Sequence, residues 1–145
     1  MIPAKLSNRL IFVFSLAGLL VSSFLLYEYS LSGPIACLSG AGCDIVRASP
    51  YSSFLGISIP TLGVAFYLVM AFLSVVHPQK SFSGLILKSK IFLSLAGFAF
   101  GVYLTLLEIF VIKAICFWCV ISFIISFAVL LSVFLGRKKT NDKGN

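Results

Sequence analysis

Charged side chains are scarce in this 145-residue chain: Asp, Glu, Lys and Arg together make up 10% of it. A soluble domain usually has about 25% charged and about 45–50% apolar residues. Here 60% of the residues are hydrophobic and the mean hydropathy is +1.13. A fold of this size cannot hide so much apolar surface from water. The composition therefore excludes a soluble globular enzyme and a disordered chain, and it leaves an integral membrane protein.

Four apolar runs are long enough to cross a bilayer, which takes about 20 residues in a helix. They cover residues 10–29, 59–76, 91–112 and 115–135, and none contains more than one charged side chain. The chain shows no internal repeat and no low-complexity tract. We therefore predict an all-α protein in which residues 1–136 form a single transmembrane four-helix bundle, followed by a basic, disordered cytoplasmic tail at 137–145.

Acidic residues are rarer still, four against eleven Lys and Arg, so the net charge is +7. Nine of the basic residues fall on one side of the predicted spans, and only Arg47 and Lys113 fall on the other. The positive-inside rule then places both termini in the cytoplasm and the loop between spans one and two outside. The positive charge is thus a topology signal, and no nucleic acid is expected as a partner. The nine are Lys5, Arg9, Lys80, Lys88, Lys90, Arg137, Lys138, Lys139 and Lys143.

Only four cysteines occur, and the predicted topology places all of them on the outer side. Cys37 and Cys43 lie in the outer loop, and Cys116 and Cys119 form a Cys-Phe-Trp-Cys motif at the start of span four. An outer compartment permits disulfides, and a helix start favours the reactive thiolate of its first cysteine. A relay of two dithiols fits this pattern. Two structural disulfides or a zinc site are the alternatives that the spacing leaves open.

Glu108 is an acid inside span three, and intramembrane acids mark functional sites by default. It lies near the outer end of the span, so its carboxylate can instead extend to the membrane surface. Phe117 and Trp118 flank the motif sulfurs. They are candidates for stacking on a quinone ring, or for the aromatic belt of the membrane interface.

The order of these elements resembles that of the vitamin K epoxide reductase family over nearly the whole chain. The resemblance depends on a first span, an outer loop with Cys37 and Cys43, a Ser-Pro-Tyr-Ser-Ser-Phe-Leu-Gly-Ile run at residues 49–57, and a late Cys-x-x-Cys. DsbB-type oxidases also have four spans and two cysteine pairs, but their Cys-x-x-Cys comes in the first outer loop. Residues of span two also match the family, namely Pro60, Gly63 and Tyr67.

The resemblance implies a role for each cysteine. Cys37 exchanges disulfides with a thioredoxin-like or DsbA-like partner, Cys43 attacks Cys116, and Cys119 delivers electrons to a membrane quinone such as ubiquinone or menaquinone. Ser49 matches a family serine near the quinone, although a serine in a loop turn is an equal reading. The outer loop would cap the quinone pocket, and its glycines would let it move between the partner and Cys116. No metal is required.

Two departures from the vertebrate members bear on the substrate. Phe123, which is also a candidate for quinone binding, stands where they have a tyrosine, and Ile59 stands where they have an asparagine. Both missing groups assist recognition of vitamin K and its epoxide. The resemblance therefore implies a bacterial-type quinone-dependent thiol oxidase in the inner membrane, with a separate partner protein. We keep as alternatives a DsbB-type oxidase, a vitamin K (epoxide) reductase, a non-enzymatic membrane protein with structural disulfides, and a small transporter or metal-handling protein.

Overall fold

The structure is a computed structural model that describes residues 4–31, 33–38, 40–76 and 83–141. Lys80 and residues 142–145, which the charge and tail predictions include, lie outside this part of the chain. The elements in order are α1 (Ala4–Ser30), α2 (Gly42–Ala48), a 3-10 turn (Pro50–Ser52), β1 (Ser53–Phe54), β2 (Ile57–Ser58), α3 (Ile59–Val76), α4 (Ser83–Leu106), a π-helical segment (Leu107–Ile112) and α5 (Phe117–Asn141).

Four helices are long and apolar enough to cross a membrane, over Lys5–Ser30, Ile59–Val76, Gly84–Ile112 and Phe117–Gly136. Helix α1 packs against both α3 and α5, and α4 packs mainly against α5. Their outer surfaces carry large apolar side chains, such as Leu20, Phe72 and Phe92, as expected where lipid is the solvent. The predicted all-α transmembrane bundle is confirmed.

Spans one and three begin earlier than predicted because polar residues near their starts have partners within the bundle. The Ser7 hydroxyl donates to the backbone carbonyl of Ser132, at 2.6 Å. The buried Lys90 ammonium donates to the side-chain oxygen of Asn8, at 3.0 Å. A buried polar group that is hydrogen-bonded avoids most of the cost of leaving water, so the helices continue through these residues.

Helix α5 also differs from its prediction, since it continues to Asn141 and so includes five residues assigned to the tail. No proline interrupts the chain there. Lys and Arg are good helix formers, and positive charge is favourable near a helix C-terminus. The basic segment therefore extends the last helix by more than a turn.

Between α1 and α3 the chain forms a compact cap at one end of the bundle. Strands β1 and β2 pair antiparallel, with Ser53 opposite Ser58 and Phe54 opposite Ile57. The two residues between them, Leu55 and Gly56, both have positive φ, at 53° and 81°. This is the conformation of a tight two-residue hairpin.

Helices α1 and α3 approach each other closely at Gly18. A Cβ atom added at Gly18 would overlap the ring of Tyr67. That ring cannot easily move aside, because Tyr67 is only 2% exposed and its hydroxyl donates to the carbonyl of Ser122 on α5, at 2.9 Å. Because glycine has no side chain, Gly18 permits this close contact of α1, α3 and α5.

We predict that Gly18→Ala destabilises the bundle by about 1–3 kcal/mol, the usual cost of inserting a methyl group into a packed interior. Thermal unfolding of the purified protein in detergent measures the change. Gly84→Ala on α4 is the control, because a Cβ atom there meets nothing within 4 Å. Equal melting temperatures for the two variants would contradict the prediction.

Candidate functional site

All four cysteines meet at the end of the bundle that the α1–α3 cap covers. Cys37 and Cys43 form a disulfide, and Cys116 and Cys119 are free thiols. The Sγ atom of Cys116 lies 3.6 Å from that of Cys43. Cys43 and Cys116 are buried together in one apolar cluster, against which Cys37 and Cys119 pack. The four sulfurs thus form one continuous group.

Hydrogen bonds from both sides fix the segment that carries Cys37. The backbone N–H of Ile35 donates to the Asp44 carboxylate at 3.0 Å. The indole N–H of Trp118 donates to the carbonyl of Ala36 at 2.8 Å. Trp118 belongs to the Cys-x-x-Cys motif, so this bond ties the outer loop directly to the start of α5.

Arg47 ties α2 to the end of α1. Its Nη1 lies 3.2 Å from the backbone carbonyl oxygens of Glu28, Leu31 and Gly33. Carbonyls at a helix C-terminus have no partner within the helix, and a cation is favourable beside them. Arg47 therefore stabilises the helix end and holds α2, with Cys43 in it, over the bundle.

Cys116 stands just before helix α5, where its thiolate is favoured. A hydrogen bond from the Cys119 thiol lowers the pKa of Cys116 below its ordinary value. Backbone N–H groups of Cys119 and Trp118 act in the same direction, whereas burial and the Glu108 carboxylate oppose it. The thiolate is the form that attacks a disulfide, and the Cys43 sulfur lies beside it.

A cavity of about 370 Å³ opens beside Cys119, between the helices and the cap. Cys119 and Phe123 both line it, and most of the other lining side chains are apolar. Its size and character are those of a small-molecule site, which is typically concave and apolar with a few polar groups. The polar side chains that line it are Ser22, Tyr29, Tyr51, Tyr67, Thr105, Glu108, Ser122 and Ser126.

Glu108 is buried. The alternative interpretation, in which its carboxylate extends to the membrane surface, does not fit this position. Glu108 is 4% exposed, lines the cavity, and accepts a hydrogen bond from the backbone N–H of Cys116 at 3.1 Å. Its carboxyl group is also within hydrogen-bonding reach of the Cys119 thiol. The backbone carbonyl of Glu108 accepts the N–H groups of Lys113 and Ala114, which ends the π-helical segment.

The other residues predicted to bind a quinone lie outside the described cavity wall. The Ser49 hydroxyl donates to the carbonyl of Val46 at 2.7 Å, at the end of α2. Trp118 packs against Phe24, with ring centroids 4.9 Å apart, and Phe117 packs edge-on against Trp118. Direct contact of Ser49, Phe117 or Trp118 with a quinone stays a prediction.

Two serines of the cavity wall were missed from the sequence, although their spacing could have revealed them. Ser122 and Ser126 follow Cys119 by three and seven residues, and this spacing puts them on the same face of a helix. Ser122 lies beside the Tyr67 hydroxyl, and the Ser126 hydroxyl is buried without a hydrogen-bond partner in the structure. No three His, Cys, Asp or Glu side chains come together as a metal-binding group within the described ranges.

A membrane bundle with a disulfide in contact with a reduced Cys-x-x-Cys pair defines a membrane-bound oxidoreductase. The sequence profile of the vitamin K epoxide reductase family matches residues 9–134, which is most of the chain, and the protein belongs to that family. A comparison with curated proteins gives no match. The family assignment confirms the resemblance in the motifs and sets aside the DsbB-type alternative.

We predict that a variant with only Cys43 and Cys116, made as Cys37→Ser with Cys119→Ser, forms an intramolecular disulfide on mild oxidation. The two sulfurs are already 3.6 Å apart, so little movement is needed. Mass spectrometry of the alkylated protein measures the bond.

The matched control keeps Cys37 and Cys119 and carries serine at the other two positions. We expect much less crosslinking in this variant, because its two sulfurs belong to opposite ends of the proposed relay. Equal crosslinking in both variants would mean that the cap does not hold Cys43 selectively against Cys116.

Proposed function

We propose that the protein oxidises the dithiol of an extracytoplasmic thioredoxin-like or DsbA-like protein and passes two electrons to a membrane quinone, in support of disulfide-bond formation. The observation that carries this proposal is the 3.6 Å contact between the Cys43 and Cys116 sulfurs. It connects a loop disulfide to a thiol pair of which one member, Cys119, lines an apolar cavity.

Accessibility supports Cys37 as the sulfur that the partner attacks. Cys43 is only 1% exposed, whereas Cys37 is half-buried and is followed by Leu38, which is 80% exposed. A partner thiolate that attacks Cys37 breaks the bond to Cys43 and releases the Cys43 thiolate. Thiol–disulfide exchange always proceeds through such a mixed disulfide.

The following exchanges move two electrons from the Cys37–Cys43 pair to the Cys116–Cys119 pair, through the contact between Cys43 and Cys116. The Cys43 thiolate attacks Cys116 of an oxidised Cys116–Cys119 pair, and Cys119 leaves as a thiolate. The second partner thiolate then attacks the partner sulfur bonded to Cys37 and frees the oxidised partner. Finally, the Cys37 thiolate attacks Cys43 and releases Cys116. The result is a Cys37–Cys43 disulfide beside a reduced pair, the arrangement of bonds in this structure.

The cavity supports a quinone as the electron acceptor. It is apolar, has room for a substituted ring, and lies between membrane-spanning helices, where a lipid-soluble molecule can enter. Ile59 and Phe123 both line it and offer no hydrogen bond. The groups that assist recognition of an epoxide in vertebrate members are thus replaced by hydrocarbon, which favours a plain quinone such as ubiquinone or menaquinone.

The test is quinone reduction by the purified protein with a reduced thioredoxin-like donor, followed by quinone absorbance. We expect Cys119→Ala to lower turnover to the background rate of donor and quinone alone, because the sulfur that lines the cavity is gone. The control is Val120→Ala, on the same turn of α5 but outside the described cavity wall. Full turnover by Cys119→Ala would rule out the proposed relay.

We further propose that the protein lies in a bacterial inner membrane with both termini cytoplasmic and the cysteines on the periplasmic side. A pair of single-cysteine variants in a background without the native cysteines tests this. Leu38→Cys is on the exposed outer loop, and Lys88→Cys is on the exposed surface at the opposite end of α4.

We expect a membrane-impermeant maleimide to label Leu38→Cys in intact spheroplasts and Lys88→Cys in inverted vesicles. The expectation follows from the nine basic residues on the predicted cytoplasmic side. Labelling of Lys88→Cys in intact spheroplasts would reverse the orientation.

A further inference from the structure

We propose that Glu108 is the proton carrier of the quinone step: its carboxylate takes the proton of the Cys119 thiol and gives it to the quinone oxygen. This inference rests on the proposed function and assigns a role to a residue outside the cysteine relay.

The position of Glu108 is the first argument. It lines the same cavity as Cys119, and its carboxyl group is within hydrogen-bonding reach of the Cys119 thiol. A molecule in the cavity therefore has both the carboxyl group and the thiol in its wall. A general base must lie within hydrogen-bonding reach of the proton that it removes.

The way in which Glu108 is held is the second argument. One carboxylate oxygen accepts the N–H of Cys116 at 3.1 Å, and the residue is only 4% exposed. Its backbone carbonyl ends the π-helical segment through Lys113 and Ala114. The carboxylate is thus oriented by the turn that positions Cys116, and it lies inside the bundle.

The protonation of the two thiols is the third argument. The thiol of Cys119 donates a hydrogen bond that favours the thiolate of Cys116. In that arrangement the proton stays on Cys119, the member of the pair that lines the cavity. Cys119 has to lose that proton before its sulfur can attack a quinone, and Glu108 is the acceptor that lies beside it.

The step balances as follows. Glu108 removes the Cys119 proton, the thiolate attacks the quinone ring, and the carboxylic acid protonates the quinone oxygen. The Cys116 thiolate then attacks the Cys119 sulfur and breaks its bond to the ring. The electron pair of that bond leaves with the quinol, which takes its second proton from solvent. The thiol pair is oxidised to a disulfide and the quinone is reduced by two electrons.

Other titratable and charged groups surround this carboxylate, and they shape any pH dependence. Tyr29 on α1 interacts with it and also with Arg47 on α2, and Cys116 and Cys119 face it from the start of α5. Lys113 follows it on its own segment. The remaining tyrosines of the shared cavity wall are Tyr51 and Tyr67.

The test compares Glu108→Gln with the unaltered protein over a range of pH, with quinone reduction by the pre-reduced Cys116/Cys119 pair as the readout. The amide still accepts the Cys116 N–H but takes no proton. We expect the quinone step to slow by about 10²–10⁴-fold, the usual contribution of general acid–base catalysis. The loss should shrink as pH rises, since hydroxide then removes the Cys119 proton in place of the Glu108 carboxylate.

Three comparisons make the outcome decisive. Glu108→Asp should recover part of the rate, and Glu28→Gln, which neutralises an acid at the end of α1, should leave it unchanged. Reduction of the Cys37–Cys43 disulfide by the partner dithiol should persist in Glu108→Gln. A loss below about threefold, or an equal loss at every pH, would overturn the role of Glu108. If Cys119→Ala also retained quinone reduction, the proposed function itself would fail.

Discussion

The contact between the sulfurs of Cys43 and Cys116 is the constraint on which the rest of this end of the molecule depends. The two residues are 73 positions apart in the sequence, so the contact requires that the outer loop and the start of α5 be fixed against each other. Arg47 holds α2 to the end of α1, and Trp118 holds the Cys37 segment to α5. From the other side, Glu108 fixes the backbone at Cys116. Each of these polar contacts positions one side of the pair of sulfurs, and the apolar cluster around them excludes water.

Polar groups inside this bundle are informative because lipid offers them no alternative partner. Several are paired across helices, as Ser7 is with Ser132 and Tyr67 with Ser122, and others donate to a carbonyl of their own helix. Among the described side chains, Ser126 is buried without a partner and also belongs to the cavity wall. An unmade hydrogen bond costs about 1–3 kcal/mol when the group is buried. A polar atom of a ligand at that depth of the cavity would remove this cost, and this is a second reason to regard the space as a binding site.

The sequence predicted the four spans because long apolar runs and the distribution of basic residues are direct consequences of the bilayer. It also predicted the convergence of the cysteines, because the topology follows from those two signals. It did not predict the burial of Glu108, because hydropathy near a helix end does not distinguish a carboxylate that turns inward from one that reaches the surface. Trp118 was interpreted as a candidate for quinone contact because it flanks the cysteines of the motif. Its contact with Ala36 depends on how the outer loop folds back, and no local pattern encodes that.

The geometry also changes the expected motion of the outer loop. The glycines of the loop suggested that the Cys37–Cys43 segment would travel between the partner and Cys116. In the structure, however, Cys43 already lies against Cys116, while its bonded neighbour Cys37 is the more accessible of the two. In such a relay the disulfide bonds are exchanged between sulfurs that are already neighbours, and the loop does not have to move. Under the proposed function, the partner and the quinone act at opposite ends of a chain of four sulfurs, so the donor dithiol does not have to enter the cavity and the quinone does not have to leave it.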